Sequence, residues 1–135
     1  MKINNRNKIT LLLSYRLDEV FRHIFKSEGF DVLWSHDYDE MVDLIKNNDF
    51  DFAIEWQRSP DDDSVLAAVK KYRPHVPVLL TLNYSGKLPG NYETLGYADH
   101  IDAPFNLKEI SRKLYNCLDG PRQEILKTLP IWEKE

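Results

Sequence analysis

The sequence predicts an α/β domain, a parallel sheet with helices on both faces. Short apolar runs alternate with segments of helical periodicity along most of the chain, the order that repeated strand–helix units leave. The runs are apolar at successive positions, as in strands covered on both faces. A length of 135 residues suits one such domain.

Ile9 to Leu13 is the first apolar run. Leu17, Val20, Phe21, Ile24 and Phe25 follow at the spacing of one buried helical stripe. Gly29 stands where that helix should stop. Phe30 to Trp34 reads as the second strand, and Tyr38, Met41, Leu44 and Ile45 as a short helix ended by Asn47 and Asn48. Phe50 to Trp56 is the third strand, and Val65, Leu66, Val69 and Tyr72 form a helical stripe closed by Pro74. Val76 to Leu82 is the fourth strand, with Pro77 tolerable near its start. Between Tyr84 and Gly96 stand Gly86, Pro89 and Gly90, so a fourth helix there is short or broken. Ala98 to Ile101 is a brief fifth strand. A further helix opens with Asn106 and Glu109 in capping-box spacing and carries Leu107, Ile110, Leu114, Cys117 and Leu118 on one face.

Right-handed crossovers leave few topologies for five such units. The prediction is a flavodoxin-like (βα)5 three-layer sandwich of strand order 2-1-3-4-5 with helix 4 degenerate. Its site belongs at the carboxyl ends of strands 1 and 3, which sets Ser14 to Leu17 beside Trp56 to Pro60. The division expected is a domain over 1–119 and a tail over 120–135. In that tail Ile125, Leu126, Leu129, Ile131 and Trp132 fit a short helix ended by Pro130.

Composition excludes several function classes. A net charge of -4 gives no reason to expect a nucleic-acid partner. No apolar stretch approaches the length of a membrane span, and the polar start does not read as a secretory signal. The single cysteine, Cys117, rules out an internal disulfide and a cysteine zinc site. His23, His36, His75 and His100 have no metal-ligand spacing. Asp61 to Asp63 reads as a solvated loop, with Asp63 or Ser64 capping the next helix. No metal or cofactor is expected, and the chain reads as a cytoplasmic domain.

From about Lys8 to Leu118 the chain resembles the receiver domain of two-component response regulators. The stretch from Gly96 to Phe105 looks like that family's fifth-strand segment, and Pro60 to Ser64 like its proline loop after strand 3. Ser27 to Phe30 also has the family's look. The resemblance implies an acceptor aspartate ending strand 3 and an acidic pair after strand 1 that holds Mg²⁺. It also implies a lysine after strand 5 and a hydroxyl residue ending strand 4.

This sequence departs from that set. Ser14, Tyr15 and Arg16 follow strand 1 with no acidic pair, and Ala103 stands at the lysine position. Leu82 takes the hydroxyl position, with Thr81 one residue early. Ungapped alignment to Pro60 puts Trp56 at the acceptor, whereas one extra loop residue would put Glu55 there as a fixed negative charge. Arg16 could pair with Glu55 across the emptied pocket. Losing metal ligands and lysine together removes several kcal/mol of transition-state stabilisation, at about 1.4 kcal/mol per tenfold in rate.

The reading is therefore a pseudo-receiver, not an enzyme, whose expected partner is a signalling protein or kinase, or a second copy of the chain as a homodimer. Phosphorelay through the Glu55 region, or binding of a small ligand, are the alternatives. Tyr84, Leu88, Tyr92 and Tyr97, with His100 at the family's aromatic switch position, are the expected interaction surface.

Overall fold

The structure, a computed structural model, describes residues 8–14, 19–56, 64–81, 96–101 and 106–133. Its strands are β1 (Thr10–Leu13), β2 (Asp31–Leu33), β3 (Phe52–Trp56), β4 (Val78–Thr81) and β5 (Asp99–Ile101). Its helices are α1 (Glu19–Ser27), α2 (Tyr38–Asn47), α3 (Ser64–Tyr72), α4 (Leu107–Cys117) and α5 (Gly120–Leu126), followed by a 3-10 helix over Pro130–Glu133. The strands form one parallel sheet in the order β2-β1-β3-β4-β5, the topology predicted. The sequence's degenerate fourth helix, residues 84–95, lies outside the described residues.

Strand alternation sorts the core into two clusters. Leu11, Leu13, Phe52, Ile54 and Leu79 point to one face, where Phe25, Ile110 and Leu114 cover them. Leu12, Ala53, Val78 and Leu80 point to the other, under Met41 and Ile45 of α2 and Val65 and Val69 of α3. A run apolar at every position is what two covered faces require.

Helix ends follow local chemistry. The Asp37 carboxylate accepts from the Glu40 N–H at 3.1 Å and opens α2. Asn106 accepts from the Glu109 N–H at 3.2 Å and opens α4, as its spacing predicts. At the end of α1, Gly29 takes φ +99°. The Gly29 N–H then reaches the Lys26 carbonyl and the Phe30 N–H the Phe25 carbonyl, each at 3.1 Å. This is a Schellman cap, and its hydrophobic closure is the edge-on contact of Phe25 and Phe30 with ring centroids 5.7 Å apart.

Two sequence expectations need correction. The first is the α1 stripe. Phe25 is buried and Phe21 partly so, but Val20 is 63% and Ile24 39% exposed. At 100° per residue, Val20 and Ile24 lie on the flank of Phe21 and Phe25 opposite Arg22. The helix is turned so that the Arg22 guanidinium sits 3.6 Å from the centre of the Trp34 ring. That stacking draws the Arg22 flank inward and the Val20 flank out.

The second is the tail. Its helix α5 ends at Leu126, and Pro130 opens the 3-10 helix instead of ending α5. Leu126, Leu129 and Ile131 are buried in the same cluster as Ile9, Phe25 and Phe30. Arg122 fixes the arrangement. Its guanidinium holds the Asp51 carboxylate with N–O distances of 3.0 and 2.8 Å and donates to the Lys8 carbonyl. Asp51 in turn accepts from the Thr10 N–H at 2.8 Å.

Candidate functional site at the carboxyl edge of the sheet

The register brings the carboxyl ends of β1, β3 and β4 together. Leu13 pairs with Ile54 and Trp56 with Thr81. The Ser14 N–H donates to the Ile54 carbonyl at 2.9 Å, which sets Ser14 level with the end of β3. Ser14 and Thr81 are buried, and Trp56 is partly exposed at the strand's last position. Tyr15, Arg16, Leu82 and Ala103 lie outside the described residues.

Neighbouring residues Glu55 and Trp56 face opposite sides of the sheet, as pleating requires. Trp56 packs against the cluster that contains Ile54. Glu55 turns toward α3 and is 0% exposed. Its Oε1 accepts from the Val65 N–H in the first turn of α3 at 2.9 Å, and its Oε2 accepts from the Tyr97 hydroxyl. A carboxylate this deep is tolerable only with such donors, and the helix N-terminus adds favourable charge. Asp63 and the Ser64 side chain, the expected caps of α3, are outside what is described. The donor at Val65 is met by a residue ten positions earlier.

Tyr97 is the clearest correction to the predicted interaction surface. It is 2% exposed, because its hydroxyl reaches inward to Glu55 and its ring joins the Leu80 cluster. It therefore offers no surface for a partner. His100 is partly exposed, and its carbonyl accepts from the Lys113 ammonium. Tyr84, Leu88 and Tyr92 lie outside the described residues.

The groups described at this edge do not fit a divalent cation. Among side chains, Ser14 offers a buried neutral hydroxyl, Trp56 offers no oxygen, and the Glu55 carboxylate is committed to α3 and Tyr97. Hard cations need several oxygens converging from one side.

The opposite edge of the sheet holds a cavity of about 330 Å³ lined by Asp49, Asp51, Arg73, His75, Cys117 and Arg122 among others. Its arginines are spent on structure. Arg73 holds Asp49 and the carbonyls of Ile45 and Lys46, and Arg122 holds Asp51. The Cys117 thiol is pushed up to about 11, first by burial and then by the Asp99 charge. It is a neutral thiol near pH 7 and a poor nucleophile.

Glu55 stands out in the sequence, but its partnership with Tyr97, 42 positions away, does not. The usable signal was a lone charge inside the apolar strand Phe52–Trp56, which had to find a buried partner. Nothing local identified Tyr97 as that partner.

No protein-family model matches the sequence, and no curated protein does. Solved structures match in shape. The signal receiver domain of an HD domain-containing protein from Pseudomonas fluorescens Pf-5 superposes with TM-score 0.65 at 14% identity, over 85% of this chain and 98% of that one. A CheY-like response regulator receiver domain from Methanospirillum hungatei JF-1 gives 0.61 at 23%, over 82% and 95%. A chemotaxis protein of Vibrio cholerae gives 0.66 at 16%, over 82% and 99%. At these identities the likeness is one of fold.

Proposed function

We propose that this chain, whose fold is that of response-regulator receiver domains, is a pseudo-receiver that signals by protein–protein contact without forming an acyl phosphate. The observation that carries this reading is the state of Glu55. A carboxylate enclosed on all sides, accepting from the Val65 N–H and the Tyr97 hydroxyl, gives no line of approach to an incoming phosphoryl group. The residue beside it at the strand end is Trp56, which has no nucleophilic oxygen. The sequence adds Ser14, Tyr15 and Arg16 where two metal-binding acids would stand, and Ala103 where a lysine would meet the phosphate.

In this reading the emptied pocket is a fixed part of the fold. Glu55 supplies a permanent negative charge to the first turn of α3, and the domain keeps one output state, which a partner reads. The surface around Tyr84, Leu88, Tyr92 and His100 is the contact face this reading assigns to that partner. The module works in the cytoplasm and turns over no substrate.

The test is intact-mass analysis after incubation with Mg²⁺ and acetyl phosphate, with Trp56 fluorescence followed during addition of Mg²⁺ and beryllofluoride. The expected result is an unchanged mass and an unchanged emission. A phosphoryl adduct on any carboxylate, or a saturable Mg²⁺-dependent quench, would overturn the reading.

A further inference from the structure

We draw no further inference here: the strongest candidate, the apolar groove of about 290 Å³ between α1 and α4 with Val20 and Ile24 exposed on α1, carries nothing because nothing in the structure shows what covers that face.

Discussion

Glu55 occupies a position where an apolar residue would be simpler. A buried carboxylate stabilises a fold only while its donors are in place, and one lost donor costs more than the bond itself contributes. Replacing Tyr97 by Phe keeps the ring in the Leu80 cluster and removes the hydroxyl that Glu55 accepts from. The expected outcome is a loss of about 1–3 kcal/mol in urea unfolding with little change in cooperativity. No loss would mean that the hydroxyl is dispensable to the carboxylate. The charge itself was legible in the sequence, since Glu55 interrupts a run of residues buried on both faces. Its direction was not. Which of Glu55 and Trp56 faces which side depends on the pleat phase of β3, and that phase is set by pairing with β1 and β4.

Elements were legible where their ends carry their own chemistry. Gly29 and Asn106 close and open their helices with hydrogen bonds that a few residues of sequence can specify. The roll of α1 was not legible, because Arg22 stacking on Trp34 is a contact between a helix and the end of the next strand. Gly29 gives the test at this scale. An alanine there would place an L-residue at φ +99° and set its Cβ 3.0 Å from Pro130 Cδ and 3.1 Å from Leu129 Cδ2. Gly29→Ala is expected to cost about 1–2 kcal/mol in backbone strain alone, and more through the two contacts. Thermal melting measures it, and a melting point equal to that of the parent would show that the cap and the chain after α5 are independent.

For the molecule as a whole, sheet order and strand order came from simple alternation, helped by the few topologies right-handed crossovers allow. The tail did not, because a stripe such as Ile125, Leu126 and Leu129 reads the same whether it meets its own domain or a partner. Burial decides it: Leu126, Leu129 and Ile131 complete the cluster around Ile9 and Phe25. Removing buried aliphatic side chains of this size costs about 2–5 kcal/mol each, which together rivals the roughly 5–15 kcal/mol that holds a domain folded. A chain ending at Asp119 is therefore expected to show no cooperative melting transition and to bind a hydrophobic dye at room temperature. Cooperative melting near the full chain's midpoint would make the tail an appendage.

Arg122 has a consequence for how the protein is made. It ties α5 to the Asp51 carboxylate and to the backbone of Lys8, a contact spanning 114 positions. Ile9, next along the chain, shares its core with Ile131. During synthesis the first strand therefore waits, its share of that cluster incomplete, until the chain through Ile131 has left the ribosome. Contacts of such separation form late and slowly. Until then the nascent chain has an apolar face open to chaperones or to other chains, and the emergence of α5 and the 3-10 helix closes that interval.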